Sequence, residues 1–364
     1  MRYLIYGAGA IGGTMGAALQ LRGQNVALIA RGPHLHTLQQ RGMTFITPGQ
    51  QHLLTVNAVD SPHALNITDD DVVFMAMKSQ HTLPALSALR VATDAEPAIV
   101  CAQNGVENER LALRLFAHVY GMEVVLPATH LEPGTVEVHA RNVFGLLAIG
   151  CFPGGVDERA ERIAADLRDA GFSCDARGEI MAWKYRKLIS NLGNGLQILI
   201  GDAAESRDIV RMLRGEATAV FAAASIAVTP DAEYRKRTDL LDRSISDVDR
   251  RVGSSTLQSL MRGTGNVETD YLNGEIVMLG RLHNVPTPVN ALIQNLCTQY
   301  AATKQAPGAY SPTALLGRAR AAVQAHNDHI SRALNLHAPT QATTTDSSTS
   351  QQASQQASQQ ASLP

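Results

Sequence analysis

Only five of the 31 basic residues are lysines: Lys78, Lys184, Lys187, Lys236 and Lys304. Genomic base composition alone produces such a bias, but arginine keeps its proton at any accessible pH while a buried lysine can release one. Each lysine is therefore a candidate for chemistry that arginine cannot perform. Two of them share the segment Trp183-Lys184-Tyr185-Arg186-Lys187-Leu188-Ile189-Ser190-Asn191-Leu192-Gly193-Asn194-Gly195. On a helix advancing about 100° per residue, Lys184, Lys187, Asn191 and Asn194 fall within about 80°. Leu188, Ile189, Leu192 and Leu196 share the neighbouring arc. A polar stripe is commonly a solvated face, but such a face favours Glu, Lys, Arg or Gln. Short amides flanked by Gly193 and Gly195 cost helix stability. The stripe is expected to line a polar cleft, with either lysine available as a proton donor.

A second constellation opens the chain. Arg2–Tyr6 is a short apolar run of strand type, followed at once by Gly7-Ala8-Gly9-Ala10-Ile11-Gly12. A helical pattern from about Ala10 to Leu21 and a buried strand over Val26–Ala30 follow. Glycines at this spacing, between a strand and a helix, form a dinucleotide-binding fingerprint. Gly7 permits the tight turn, Gly9 lets backbone approach a pyrophosphate, and Gly12 lets helix and strand pack closely. The helix N-terminus offers N–H groups and a positive dipole end to the phosphates.

The dinucleotide can be chosen from what is missing. An NAD site places Asp or Glu about 20 residues beyond the glycines to bind the ribose 2′-hydroxyl. Here the first acidic residue of the chain is Asp60, and the second strand ends at Arg31, with His34 and His36 close behind. A guanidinium there suits a 2′-phosphate, which favours NADP(H), although Arg31 would also serve as an ordinary loop charge.

The elements that must position these groups form an α/β pattern. Apolar runs at Asp71–Met77 and Ala98–Ala102 end at Lys78 and at Gln103-Asn104-Gly105. Ligands of open α/β sheets sit at such carboxyl ends, so Lys78 and Asn104 are candidate cofactor contacts, though Asn-Gly is also a common turn. Shorter strands are expected over Val124–Thr129, Val136–Ala140, Gly145–Gly150 and Phe172–Asp175, with a helix over about Asp157–Ala170. After Gly178 only helical patterns follow. The expected organisation is a Rossmann-type α/β domain over 1–178, an all-helical second domain over 179–336, and a tail rich in Thr, Ser, Gln and Ala over 337–364. The tail has too little apolar content to offset its ordering entropy and is expected to be disordered.

Composition excludes several classes. Apolar residues make up 45% of the 364 and charged residues 18%, enough for sizeable cores. A net charge of -2 and 4% aromatics argue against a nucleic-acid binder. The four cysteines form no CxxC pair, so neither zinc site nor disulfide framework is expected, and reduced thiols suit a cytoplasmic protein. The uncharged stretch from Tyr3 to Leu21 has the flank of a signal peptide but too many glycines for its helix. The apolar run Ala217–Val228 is shorter than the roughly 20 residues a membrane span needs.

Over roughly residues 1–305 the chain resembles the ketopantoate reductase (2-dehydropantoate 2-reductase) family. The resemblance rests on GAGAIGG at 7–13, Arg31, Lys78, Gln103-Asn104-Gly105, and Lys187 with Asn191 four residues on. Ser254-Ser255-Thr256-Leu257-Gln258 and Glu268-Thr269-Asp270-Tyr271-Leu272-Asn273-Gly274 are its most specific parts. It implies NADPH-dependent reduction of 2-dehydropantoate to pantoate in pantothenate biosynthesis, with a homodimer as one option for the assembly. Lys187 is similar to the family's general acid, and Glu268 to the carboxylate that positions substrate and lysine. Ser255, Asn191 and Asn194 would contact substrate, while Asn104 and Lys78 would serve the cofactor. On sequence grounds alone, Glu268 would also suit a helix N-terminal acid and Ser255 a helix N-cap.

Departures concentrate in the substrate pocket. Gly195 stands where a second helix asparagine is frequent, Ser259 where an acid is common, and Val252 where an asparagine is frequent. Lys184 precedes the usual aromatic-x-Lys reading of Tyr185-Arg186-Lys187 and is the alternative acid. Reductase chemistry is thus the firmer expectation. Another branched or bulky 2-oxo acid is the alternative substrate, and a non-catalytic NADP-binding sensor the alternative class.

Overall fold

The computed structural model describes residues 1–201, 206–242, 268–303 and 307–336. Residues 1–323 form one compact unit; the second, from Gln324, is described only through the end of the last helix. In chain order the unit begins β1 (Arg2–Tyr6), α1 (Ala10–Leu21), β2 (Val26–Ile29), α2 (Gly32–Arg41), β3 (Met43–Thr47), β4 (Gln50–Leu54) and β5 (Asn57–Val59). It continues with β6 (Asp71–Met75), α3 (Thr82–Ala92), β7 (Ala98–Cys101), α4 (Asn108–Leu113), β8 (Val119–Val125), β9 (Ala128–Thr129) and β10 (Thr135–Val138). Then come β11 (Leu146–Cys151), α5 (Glu158–Asp169) and β12 (Ser173–Ala176). After β12 the described elements are helices: α6 (Ile180–Asn191), α7 (Leu196–Ile200), α8 (Arg207–Ala223), α9 (Asp231–Thr238), α10 (Asn273–Leu282), α11 (Pro288–Thr303) and α12 (Pro312–Leu336). The chain is therefore an α/β Rossmann-like fold followed by a helical C-terminal part.

The main sheet has eight strands in the order β12-β11-β8-β7-β6-β1-β2-β5. Counted from β1 within this sheet, the strands from β5 to β8 run 3-2-1-4-5-6, the doubly wound order whose reversal lies between β1 and β6. The sequence explains why these strands are buried on both faces. Tyr3, Ile5, Val72, Phe74 and Val100 pack on one side, while Leu4, Tyr6, Val73, Met75, Ile99 and Cys101 pack on the other. A strand that alternates between two apolar layers reads as a continuous apolar run. Asp157 caps α5 by accepting from Ala160 N at 2.8 Å, which sets that helix's start.

A second sheet, β4-β3-β10-β9, was not anticipated in full. The expected strand over Val124–Thr129 divides: β8 belongs to the main sheet and β9 to the small one. Pro127 lies at the break, where its missing N–H and fixed φ disfavour a continuing ladder. Within the run 43–59, Gln50, Gln51 and His52 carry no apolar pattern, yet the segment forms β3, β4 and β5. Its hairpin turns at Pro48-Gly49, Gly49 having φ +84°.

The helical part has its own core, in which Leu188, Leu192, Leu196, Leu213, Ile276 and Ile293 are buried together. Val106, from the loop after β7, is buried in the same cluster. That loop therefore joins the sheet to the helices.

Candidate active site

The glycine loop leaves β1 at the reversal of strand order. Gly7 has φ +104°, and a Cβ there would lie 2.8 Å from Met77 N. A Cβ on Gly12 would lie 2.2 Å from Gly7 O and 2.8 Å from both the Ala76 Cβ and Ile5 Cγ2. Around Gly9, by contrast, a Cβ would meet no heavy atom within 4 Å. Two glycines are thus required by the protein's own packing, while the third faces open space. Gly9 is the N-cap of α1, and no acid stands in that helix's first turn. Ala8, Ala10 and Ile11 complete the loop, which has the shape and polarity to accept a pyrophosphate.

Arg31 is the exposed N-cap of α2. Burial lowers the pKa of His81, and the nearby charges of Lys78 and Arg31 lower it further. Three basic side chains therefore gather beyond β2 and β6. His34 does something different from supplying charge. Its Nε2 lies 2.8 Å from Ala8 O, its Nδ1 accepts from Gly134 N at 2.9 Å, and its ring lies 4.2 Å from that of His130, tilted by 53°. These two bonds select the tautomer protonated at Nε2. Burial and His130 push its pKa down to about 4, against the pull of Ala8 O. A neutral His34 thus braces the glycine loop against the small sheet.

The loops after β6 and β7 meet the helical part through a chain of hydrogen bonds. Ser79 N donates to Glu268 Oε1 at 3.2 Å, and Ser79 Oγ donates to Asn104 O at 3.1 Å. Asn108 Nδ2 donates to the same carbonyl at 3.1 Å. Asn191 Nδ2 reaches Asn104 Oδ1 at 3.1 Å. Gly105, with φ +83°, would bring a Cβ within 3.1 Å of Tyr271 O, so this turn packs closely on the segment following Glu268. Glu268 is buried. Burial raises its pKa, opposed by Lys78 and the two Ser79 hydrogen bonds. Lys78, Asn104, Asn191 and Glu268, spread over residues 78–268, converge here.

The two lysines of α6 have separate environments. Lys184 is 3% exposed; its Nζ donates to Cys101 O at 3.2 Å and Gln103 O at 3.1 Å, and pairs with the fully buried Glu109 carboxylate. Lys187, one turn on, is half-buried on the same side of the helix as Asn191. The alternative acid is thus committed to three acceptors within the protein.

The polar stripe is shorter than expected. Helix α6 ends at Asn191, and Gly193-Asn194-Gly195 forms a turn before α7, with Asn194 N donating to Asn191 O at 2.9 Å. The two glycines remove the helix propensity needed to carry the stripe on to Asn194. A Cβ at Gly195 would lie 2.8 Å from Cys297 Sγ, so a larger residue at that position would displace the Cys297 side chain. Ser255 and its motif lie outside the described residues. Sequence reasoning missed Ser79, Asn108 and Glu109; none carries a motif, and each acts through contacts with residues distant in the chain.

Among the described residues there is no group of three or more His, Cys, Asp or Glu placed to hold a metal, and no helix long and apolar enough to cross a membrane.

The family model for ketopantoate reductase PanE/ApbA matches residues 3–154, and that for its C-terminal domain matches 179–301. The chain is 29% identical over 300 residues to a 2-dehydropantoate 2-reductase from Pyrococcus horikoshii, covering 80% of this chain and 95% of that one. A PanE/ApbA family ketopantoate reductase from Ralstonia eutropha superposes with a TM-score of 0.70 at 26% identity, covering 84% of this chain and all of that one. A D-mandelate dehydrogenase, solved with NADH and anilino(oxo)acetate, shares the fold at a TM-score of 0.72 and 21% identity, over 84% of this chain and 99% of that one. The glycine loop at the sheet's reversal point, the carboxylate and amides gathered beside it, and these matches over both parts agree: the chain belongs to the ketopantoate reductase family and is an oxidoreductase acting on CH–OH groups.

Proposed function

We propose that the protein uses NADPH to reduce a 2-oxo acid to the 2-hydroxy acid, with 2-dehydropantoate as the substrate. The observation that carries this reading is the convergence of Glu268, Asn104 and Asn191 at the carboxyl ends of β6 and β7, next to the helix bearing Lys187. Residues 1–178 hold the dinucleotide, and 179–336 supply the proton donor and substrate contacts.

Bound nicotinamide supplies the hydride. Gly7, Ala8, Gly9, Ala10, Ile11 and Gly12 hold the pyrophosphate at the α1 N-terminus, and Lys78 and Asn104 hold the groups beyond it. Arg31, beside Lys78 and His81, binds the 2′-phosphate, and no acid before Asp60 competes for that site. Lys187 holds its proton at the ketone oxygen and transfers it to the developing alkoxide, stabilising charge where it forms. Glu268 positions substrate and lysine. Asn191, Asn194 and Ser255 orient the oxo acid.

The test is NADPH oxidation, followed by absorbance, against a panel of 2-oxo acids. The highest kcat/KM should fall on 2-dehydropantoate. A higher value with a different branched or bulky oxo acid would replace the substrate, and no turnover with any of them would overturn the reaction.

A further inference from the structure

We infer that Lys184 and Glu109 are positioning residues: a buried ion pair that holds the Gln103-Asn104 loop and helix α6 in one fixed relation, so that Lys187 meets its substrate. The inference rests on the proposed role of Lys187 as proton donor.

Lys184 does not itself reach the reacting atoms. Its ammonium is enclosed by the carbonyls of Cys101 and Gln103 and by Glu109, with the lysine 3% exposed and the glutamate 0%. Those carbonyls belong to the end of β7 and to the turn beyond it. They need donors in a place where water is excluded, and a long cationic side chain from α6 supplies them. Glu109, on α4, neutralises the ammonium from the far side of the same loop.

Seven residues further along α6, Asn191 Nδ2 donates to Asn104 Oδ1 at 3.1 Å. Two helical turns, about 10 Å of axis, separate the two attachments. A helix held at one point can pivot and slide. Held at two points against the same loop, it keeps both rotation and register, and Lys187 lies between them. Asn104, at the second attachment, is also bonded through its carbonyl to Ser79, which contacts Glu268. The pair therefore fixes the whole arrangement from its buried side.

Stability alone does not account for such a pair. Replacing both members of a buried ion pair with apolar residues is often neutral or stabilising. Glu109 Oε2, moreover, has no hydrogen-bond partner among the described residues. Geometry gives a reason to keep it, since a displacement of about 1 Å at a reacting group costs on the order of 10²-fold in rate.

The test uses the full chain carrying Lys184→Met with Glu109→Leu, beside Glu109→Gln, which keeps shape and can still accept from Lys184. The double variant leaves the Cys101 and Gln103 carbonyls without the Lys184 donor, so it should melt several degrees lower, yet stay folded and bind NADPH within about threefold of the unmutated chain, because the glycine loop is untouched. Its kcat should fall on the order of 10²-fold. Amide exchange should quicken at residues 101–106 and 184–191, and remain unchanged in β1 and α1. Glu109→Gln leaves the Lys184 ammonium buried without its counter-charge, so it should lower the melting temperature and reduce kcat about tenfold. Unchanged kcat in the double variant, or exchange that is unchanged at both segments, would overturn the inference. If the unmutated chain oxidised NADPH with no 2-oxo acid, the proposed reaction would fail, and the exchange data would still decide the positioning role.

Discussion

The side-chain amide of Asn191 donates to the side-chain oxygen of Asn104 across 3.1 Å, tying the last residue of α6 to the turn after β7. One amide comes from the α/β part and the other from the helical part. Asn104 Oδ1 is thereby used internally, which fixes the orientation of its amide and directs Nδ2 elsewhere. The contact sets where the cofactor side of the cleft ends and the proton-donating side begins, and the predictions below probe the two sides separately.

On the cofactor side, NADPH should bind more tightly than NADH. Arg31→Ala should erase most of that preference, because it removes the charge-assisted contact to the 2′-phosphate and leaves only Lys78 and His81. Fluorescence titration with both nucleotides decides the matter, and equal affinities in the unmutated protein would refute the assignment.

Gly9→Ala offers a cleaner probe of the loop than its neighbours do. An added methyl meets no protein atom within 4 Å, so the variant should melt like the unmutated chain. It should nevertheless bind NADPH about tenfold or more weakly, because the methyl enters the space through which backbone approaches the pyrophosphate. Unchanged NADPH affinity would show that the loop holds no phosphate. Gly12→Ala, by contrast, should be unstable before any ligand is added, given the 2.2 Å approach to Gly7 O.

For the proton donor, Lys187→Ala should lower kcat on the order of 10²-fold or more, with NADPH affinity nearly unchanged. Lys187→Arg should restore little, since its proton is held too tightly and its planar fork does not reproduce a compact ammonium. Lys184→Ala should differ in kind: it leaves Glu109 buried and unpaired, which costs about 3–5 kcal/mol of stability. Thermal melts run beside rate assays separate the two lysines. A stable Lys184→Ala variant that loses turnover, beside a Lys187→Ala variant that keeps it, would mean that the two have exchanged roles.

Glu275, in the first turn of α10, makes stability depend on pH. Burial and the nearby Glu107 carboxylate push its pKa up to about 7, against the pull of Arg110. The folded chain thus keeps a proton that the unfolded chain, with an ordinary carboxyl pKa of about 4.3, has already released. This stabilisation is complete below about pH 4 and is lost as pH rises through about 7, amounting at most to roughly 4 kcal/mol. Glu275→Gln stays neutral throughout, so its melting temperature relative to the unmutated chain should rise between about pH 5 and pH 8. A difference that stays constant over that range would contradict the buried, protonated carboxyl.

The local elements were legible because their signals are local. The strand, the glycine turn and the helix of residues 2–21 each follow from backbone sterics and apolar periodicity within a few neighbours, and so does the capped helix after Asp157. The family motifs, too, were contiguous strings. Asn194, however, was placed on a helix that in fact ends at Asn191, because periodicity carries a pattern forward through glycines whereas the chain turns there. His34 looked like part of a basic loop, yet it is a neutral brace beneath the glycine turn, held by Ala8 and by Gly134, a hundred residues away.

The same limit governed the lysines. That two rare lysines and an asparagine share one helix face follows from their spacing alone. Which lysine is buried against Glu109 and which is half-buried between the two attachments was decided by the packing of α6 on the loop after β7. Burial, ion pairing and hydrogen-bond partners depend on what lies across the interface, and residues 75 or more positions apart leave no trace of one another in a local pattern.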